Sequence, residues 1–289
     1  VIDIWGQERT AMILVTGATG NIGRALLGEL ALGGGAAAVR ALTRDAGRAS
    51  LPEGVEVVEG DLTRADSLKG ALEGVRSLFL LSGTGAEEEV LAAARQAGVE
   101  HVVLVSSITV QTHPRLTAAG ANLAVERLLK DSGMAWTILR PTQFASNTLW
   151  WAQSIRAEGL VRAPYADIGL PAVHPADIAA VARAALTEPG HRGRTYALTG
   201  PERVTVRQQV AALAAALGRE VTLVEISPEE AHRQMASFMG DETANAVLDL
   251  MGGDVNDELL TVRDTVAQVT GSAARSFRQW AAENGDVFR

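Results

Sequence analysis

The sequence contains no cysteine in its 289 residues. That absence excludes disulfides, thiolate zinc sites, iron–sulfur clusters and a cysteine nucleophile. Lysine is nearly missing as well: Lys69 and Lys130 are the only two, and tyrosine is confined to Tyr165 and Tyr196. Nowhere do five basic residues stand together, and the formal net charge is -8, which argues against extended nucleic-acid binding. No apolar run reaches the roughly 18 residues needed to cross a bilayer. The N-terminus has no basic-then-apolar secretion pattern, and a cytoplasmic location is expected. No spaced set of His, Asp and Glu suggests a metal site. The Gly-x-Ser-x-Gly elbow of many hydrolases is absent.

What is present reads as ordinary globular composition, 47% hydrophobic and 21% charged. Residues 1–11 (VIDIWGQERTA) do not fit the pattern that follows and are read as a tag remnant, an upstream start or a flexible arm. From Met12 onward strands and helices alternate. Strands are expected at Met12–Thr16, Ala38–Thr43, Val55–Glu59, Ser77–Leu81, His101–Ser106 and Ala135–Leu139. Helices are expected at Asn21–Leu32, Ala65–Leu72, Glu87–Ala97 and Thr117–Asp131, the last two stopping at Gly98 and Gly133. This rhythm implies an α/β fold, a doubly wound parallel Rossmann sheet with helices on both faces. After Pro141 the rhythm loosens. A helix at Phe144–Ala157 is followed by a Gly- and Pro-containing stretch, then helix Ala176–Leu186 and strand Thr195–Leu198 return to the sheet. Helix Val206–Leu217, strand Val221–Glu225, helix Pro228–Phe238 and further helices complete the chain. The expected division is a cofactor domain of 12–143 joined by 172–201, with 144–171 and 202–289 forming a smaller α/β substrate lobe.

Residues 16–23 read TGATGNIG, a GxxGxxG turn directly after the first strand and opening the first helix. The first glycine permits the tight turn, the second lets backbone N–H groups approach a pyrophosphate, and the third lets helix pack on strand. Gly17, Ala18, Thr19, Gly20, Asn21 and Ile22 are therefore cofactor candidates. Strand two ends Thr43-Arg44, where an NAD site usually has an acid. The guanidinium of Arg44 suits a 2′-phosphate, so NADP(H) is expected over NAD(H). Arg40 and Arg48 lie nearby in sequence, and Asp45 is read as a helix cap. Asp61 and Leu62, after strand three, suit the adenine, with helix capping as the plainer role of Asp61. Leu81, Ser82 and Gly83 end strand four at the edge where ligands of open α/β sheets sit, beside the ribose. Ser106 and Pro141, at the ends of strands five and six, belong to the same edge.

Taken together the chain resembles the NmrA-like branch of the atypical, extended short-chain dehydrogenase/reductase superfamily. The resemblance rests on TGATGNIG (16–23), ALTRD (41–45), EGDL (59–62), VSS (105–107) and VERLLKDSGMAWTILRPTQFASN (125–147). It continues through VHPADIAAVA (173–182), YALTGPE (196–202) and VTGSAARSFRQW (269–280). It covers nearly the whole chain after Met12. The resemblance implies a Rossmann sheet with a small C-terminal substrate lobe and bound NADP(H). Some members of the family are NADPH-dependent reductases of quinones, isoflavones or benzylic ethers, and others are redox-sensing regulators that bind the dinucleotide without turnover.

The Tyr-x-x-x-Lys dyad of the superfamily is missing, since Tyr165 and Tyr196 are each followed four residues on by glycine. Reductases resembling isoflavone reductase use a lysine four residues before a helix glutamate. The matching glutamate is Glu126, and the position four before it is Asn122. Asn122 can hydrogen-bond a ribose hydroxyl or a substrate oxygen but carries no acidic charge. Lys130 is read as an i,i+4 surface partner of Glu126. Ser107 and His113 are the other catalytic candidates, with a solvated loop the plainer reading of His113. His174 with Asp177 is read as helix capping, and His191 and His232 show no surrounding constellation.

Thr109, Gln143, Phe144, Asn147, Trp151 and Tyr165 are the substrate candidates. Spacing places Phe144, Asn147 and Trp151 on one helical face, a wall suited to a planar aromatic molecule. Packing between lobes is the equal alternative for the tryptophans. Quinones, enones or aromatic polyketide-like acceptors tolerate the missing acid, because hydride addition to them leaves a weakly basic oxyanion. NADPH-dependent reduction of such acceptors is the leading expectation. A regulator without turnover and a non-redox or coupling use of NADP(H) are the alternatives. The expected partner is a small aromatic or quinone molecule, with no nucleic acid and no membrane; a homodimer stays open.

Overall fold

A computed structural model describes residues 11–32 and 37–289, so the expected N-terminal arm lies, apart from Ala11, outside the described residues. The first six strands are β1 (Met12–Val15), β2 (Ala38–Thr43), β3 (Glu56–Glu59), β4 (Val75–Leu81), β5 (His101–Val105) and β6 (Ala135–Pro141). They are followed by β7 (Leu160–Ala163), β8 (Gly169–Leu170), β9 (Arg194–Leu198), β10 (Val204–Thr205) and β11 (Thr222–Glu225). One seven-stranded sheet has the order β3-β2-β1-β4-β5-β6-β9. The chain winds outward from β1 to β3, then crosses back to β4 on the other side of β1. That reversal is the topological switch point, where dinucleotide folds bind their ligand.

The pairings from β3 to β6 are all parallel, with Val15 opposite Ala41 and Phe79, Leu81 opposite Val105, and Val105 opposite Leu139. The ladder carries on past the strand ends. Thr16 N–H donates to Phe79 O (3.1 Å), Ser82 N–H to Val105 O (3.1 Å) and Ser106 N–H to Leu139 O (2.8 Å). Thr16, Ser82 and Ser106 are thus brought level at one edge. The central strands β1, β4 and β5 are buried on both faces, which explains their near-continuous apolar runs, whereas edge strand β3 is largely exposed. Leu14, Leu78, Leu80, Leu104 and Ile138 share one core with Val90, Leu91, Val125 and Leu129 of helices Glu87–Gln96 and Thr117–Asp131. Helices Asn21–Leu32 and Pro175–Thr187 pack on one another, and Pro175–Thr187 covers β4, β5 and β6.

The chain divides into two compact units. Among the described residues, unit 1 comprises 11–32, 37–110, Thr117–Pro141 and Pro175–Ala197; unit 2 comprises Gln111–Leu116, Thr142–His174 and Leu198–Arg289. Gln111–Leu116, expected within the sheet domain, goes with unit 2 because its polar groups are satisfied there. Asn256 Nδ2 donates to Thr112 O (2.9 Å), and Gln111 Nε2 donates to Glu258 Oε1 (2.7 Å).

In unit 2, β7 pairs parallel with β11 and β8 antiparallel with β10. Ile155, Val161, Leu213, Phe277, Trp280 and Phe288 form its core. Helix Val206–Leu217 starts at a reciprocal Thr205–Gln208 capping box and ends at Gly218 in the left-handed region. The single helix expected from Phe144 is two: a 3₁₀ stretch Ala145–Trp151, then α-helix Ala152–Glu158. Phe144 stays extended and bridges Val173, and Ala145 N–H donates to Val173 O (2.9 Å), so the chain here pairs like a strand before it coils. No helix among the described residues is long and apolar enough to cross a membrane.

Candidate functional site

In unit 1 the glycine turn is held so tightly that side chains are excluded. Gly17 has φ +61°, and a Cβ there would lie 2.4 Å from Leu81 Cδ1. Gly20 N–H donates to Gly17 O at 2.9 Å. A Cβ on Gly23 would lie 2.2 Å from Gly17 O and 2.9 Å from Ala18 Cα. The turn therefore lies directly on the first turn of helix Asn21–Leu32, and only glycine permits it. Ala18 and Ile22 are buried, whereas Thr19, Gly20 and Asn21 are exposed. The opening N–H groups of a helix have no intrahelical partner, and the helix dipole favours anions there. A backbone cradle that a Cβ would fill, at the switch point of a parallel sheet, fits a dinucleotide pyrophosphate.

The end of β2 sorts the three arginines. Arg40 turns away, donating to Ala71 O (2.7 Å) and Glu73 O (2.8 Å) and pairing with Glu56 at 3.0 Å. Arg48 lies beside Asp45, which caps the short Ala46–Arg48 helix through Arg48 N–H. Arg44 remains exposed, following Thr43, whose Oγ1 accepts from Asp45 N–H at 3.3 Å. Asp61 caps no helix. Its Oδ1 accepts from the N–H (3.0 Å) and hydroxyl (2.9 Å) of Thr63. These bonds, with the charges of Arg44 and Arg64, hold its carboxyl below the usual aspartate value. Leu62 packs against the sheet core.

The ends of β4, β5 and β6 carry the remaining polar groups. The Ser82 hydroxyl is shared between Val105 O (2.8 Å) and Asn122 Oδ1 (2.6 Å), and Asn122 Nδ2 donates to Ala118 O (3.0 Å). Asn122 thus projects from helix Thr117–Asp131 onto the strand edge. The loop after Leu81 wraps a carboxylate: Glu87 accepts from Gly83 N–H (2.5 Å), Thr84 N–H (2.7 Å) and Gly85 N–H (3.0 Å). Burial alone would raise the Glu87 carboxyl, but these N–H groups outweigh it and hold the carboxyl below the ordinary glutamate value. Ser106 Oγ donates to Glu126 Oε1 at 2.7 Å. Glu126 is fully buried and takes a two-point contact from Arg140, Nε to Oε1 at 2.8 Å and Nη2 to Oε2 at 2.6 Å. Lys130 reaches it only at 3.9 Å and lies over the Trp136 ring. The expected surface pair is therefore the edge of a buried network centred on Arg140. Ser107 Oγ accepts from the N–H (3.2 Å) and the hydroxyl (2.8 Å) of Thr109. Pro141 O accepts from Ile108 N–H at 3.0 Å.

Unit 2 contains a cavity of about 470 Å³, within the usual range for small-molecule sites. Gln143, Phe144, Asn147 and Trp151 line it. Thr109 belongs to unit 1, and Tyr165 is not among the lining residues. Tyr165 instead adopts φ 53° and packs its ring against Gly252, where a Cβ would lie 2.4 Å from Tyr165 Cγ. Gln143 Nε2 donates to Leu250 O at 3.1 Å. Tyr165 and Gln143 together hold the π-helical turn Asp249–Gly253, which places Leu250 and Met251 in the cavity wall. His113 is buried, with Nδ1 2.8 Å from Thr112 Oγ1 and Nε2 2.6 Å from Asp254 O. The carbonyl can only accept, so Nε2 carries a proton and donates to it. His113 is no solvated loop residue; both ring nitrogens are engaged in holding unit 2 together.

The family model described as NAD(P)H-binding matches residues 17–189. The chain belongs to that NAD(P)H-binding family. Its Rossmann fold and its likeness to the quinone oxidoreductase structures agree with the resemblance to the NmrA-like branch of the atypical short-chain dehydrogenase/reductase superfamily. The chain is 41% identical over 282 residues to a (4-alkanoyl-5-oxo-2,5-dihydrofuran-3-yl)methyl phosphate reductase of Streptomyces griseus, covering 96% of this chain and 99% of the relative. It is 35% identical to an NAD(P)H azoreductase of Xenophilus azovorans, covering 96% and 99%. Among solved structures it resembles the NADPH complex of the quinone oxidoreductase QOR2 from Escherichia coli, with TM-score 0.78, 26% identity and coverage of 94% and 99%.

Several residues of this NAD(P)H-binding chain escaped the sequence reading. Glu87 was signalled only by an acid following a Gly-Thr-Gly loop. Arg140 stood in the Leu-Arg-Pro block but had no visible partner until helix Thr117–Asp131 was laid against β6. Ile226, Met235, Phe238 and Val247 line the cavity from a region read only as helices and a strand. His191, which showed no constellation in sequence, has Nδ1 2.9 Å from the Tyr196 hydroxyl. Its carbonyl accepts from Thr137 Oγ1 (2.8 Å), which also meets His101 Nε2 at 3.0 Å. His174 Nε2 reaches Glu283 Oε2 at 3.1 Å in addition to its place before helix Pro175–Thr187.

Proposed function

We propose that the chain is an NADPH-dependent reductase of electron-poor conjugated acceptors: quinones, aromatic enones or acyl butenolides. Unit 1 holds the dinucleotide through the glycine turn, with Arg44 on the 2′-phosphate and Asp61 and Leu62 beside the adenine. Ser82, Gly83, Ser106, Asn122 and Pro141 bound the ribose and nicotinamide. Unit 2 supplies the acceptor cavity. When bound, the nicotinamide supplies a hydride, so that NADPH, a proton and the acceptor give NADP⁺ and the dihydro product.

The observation that carries this reading is the side chain of Asn122. It stands four residues before Glu126, with Oδ1 on Ser82 and Nδ2 on Ala118 O. An amide fixed in this way orients a hydroxyl or carbonyl oxygen but donates no acidic proton. Ketone reduction places full alkoxide charge on oxygen and needs an acid; a quinone or doubly activated alkene spreads that charge and does not. Ser107 suits the milder task. Its oxygen accepts two hydrogen bonds from Thr109, which leaves its own O–H to donate. His113, with both nitrogens engaged, has no part in the proton transfer. The relatives, an azoreductase, a quinone oxidoreductase and a dihydrofuranyl reductase, support acceptors of this conjugated type.

The test is anaerobic oxidation of NADPH, followed by nicotinamide absorbance, with quinones, aromatic enones and simple ketones in turn. Saturable oxidation by the first two and none by ketones supports the reading. Tight NADPH binding without oxidation by any acceptor favours a dinucleotide-sensing or non-redox role. Ser107→Ala and Asn122→Ala should each lower kcat with folding unchanged; unaltered rate constants would remove both residues from the site.

A further inference from the structure

We propose that the unit 2 cavity discriminates by charge, accepting neutral conjugated molecules with an apolar chain and rejecting their phosphate esters. The inference rests on the reductase reading and names the acceptor class for that cavity. Phe144, Leu170, Val206, Met235, Leu250 and Met251 give it an apolar wall, and the two methionines adapt to irregular shapes. The polar groups of the lining are mainly neutral, among them Gln143, Asn147, Gln209 and Gln234. Two large aromatics, Trp150 and Phe238, line the cavity while remaining 56% and 68% exposed. They form an aromatic rim at the solvent side, suited to a flat conjugated ring.

The charges on the lining decide what else can enter. Glu158 and Arg162 are the charged residues among those that line it. They pair with one another, Arg162 Nη2 to Glu158 Oε2 at 2.8 Å. The hydrogen bond and charge of Glu158 raise the Arg162 guanidinium further above its ordinary value, and the charge of Glu230 adds to this. The one cation of the lining is thus already matched by the carboxylate it binds, so the rim offers an anion no surplus positive charge. A phosphate monoester, carrying about −1.5 to −2 charge, would be penalised by desolvation against the apolar wall and by repulsion at the rim. The Streptomyces griseus relative is named for a methyl phosphate substrate; the rim of this chain points to the unphosphorylated counterpart.

The experiment compares an alkanoyl butenolide bearing a hydroxymethyl group with the phosphate monoester of the same compound, using the full chain with NADPH. Binding is read by quenching of tryptophan fluorescence and turnover by NADPH oxidation. The alcohol should bind at least about tenfold more tightly than its phosphate, with the gap narrowing as salt screens the rim. Glu158→Gln, which frees Arg162, should narrow the gap by about threefold or more, and Glu230→Gln should narrow it in the same direction. Equal or tighter binding of the phosphate by the unaltered chain overturns the proposal, as does quenching by neither compound. Preferential turnover of the phosphate would uphold the reductase reading while overturning this one. Preferential binding of the alcohol without turnover would do the reverse.

Discussion

Replacing Glu126 by glutamine should be among the most damaging single substitutions in unit 1. The carboxylate is fully buried and has three close contacts, at 2.7 Å from Ser106 Oγ and at 2.8 and 2.6 Å from Arg140. Glutamine keeps the shape but replaces one acceptor oxygen by an NH₂ group that confronts a guanidinium donor. Arg140 has only 16% of its side chain exposed, so water offsets little of the lost charge. Removing one member of a buried ion pair typically costs about 3 to 5 kcal/mol, because the survivor keeps its charge and loses its opposing one. For a chain of this length that corresponds to a fall in Tm on the order of 10 °C. Denaturant unfolding of Glu126→Gln, Arg140→Gln and the double variant would give the coupling between the two residues. Replacing the pair together by Leu and Met should recover much of the loss, since burying a charge pair is itself expensive. A loss below about 1 kcal/mol for Glu126→Gln, or additive losses in the double variant, would refute the claim that the pair is desolvated and coupled.

Gly23→Ala should abolish measurable NADPH binding by calorimetry, because the added Cβ would sit 2.2 Å from Gly17 O and force the cradle open. Wild-type affinity in that variant would mean the turn is not the phosphate site. Arg44→Ala should weaken NADPH at least about tenfold while leaving NADH nearly unchanged, because in the proposed site the guanidinium would address only the 2′-phosphate; equal losses would exclude that role. Burial of His101, with the charges of Arg192 and His191, pushes its pKa down to about 4 from 6.5. The unfolded chain then takes up a proton that the folded chain refuses. Stability should be full above about pH 6.5 and fall by roughly 3 kcal/mol as pH drops to 4. Urea unfolding of His101→Asn across that window should show a flatter profile; an unchanged slope would assign the pH dependence to other groups.

The sequence was most informative where one local rule dictates the structure. Helices Asn21–Leu32, Thr117–Asp131 and Val206–Leu217 and strand Ala38–Thr43 have the expected bounds, because apolar periodicity and glycine stops act within a few residues. The glycine turn was legible for the same reason: its spacing is its mechanism. Long-range partners were not. Arg140 meets Glu126 only because β6 lies under the preceding helix, and Gln111–Leu116 joins unit 2 through Asp254, Asn256 and Glu258, more than a hundred residues away. The π-helical turn at Asp249–Gly253 carries no sequence signature that separates it from the end of a helix. Its shape depends on Tyr165, a residue whose positive φ no propensity anticipates.

The way the chain is shared between the two units limits how the protein can be recombined. The backbone passes between them at 110/111, 116/117, 141/142, 174/175 and 197/198. A single cut therefore cannot release an intact nucleotide module, and a foreign acceptor module cannot be appended at one junction. Exchanging unit 2 means transplanting three separate segments together, so a change in its cavity is reached more readily by changing wall residues one at a time. Met235 and Met251 are the natural starting points, because unbranched thioethers exchange for other apolar side chains at modest cost in stability.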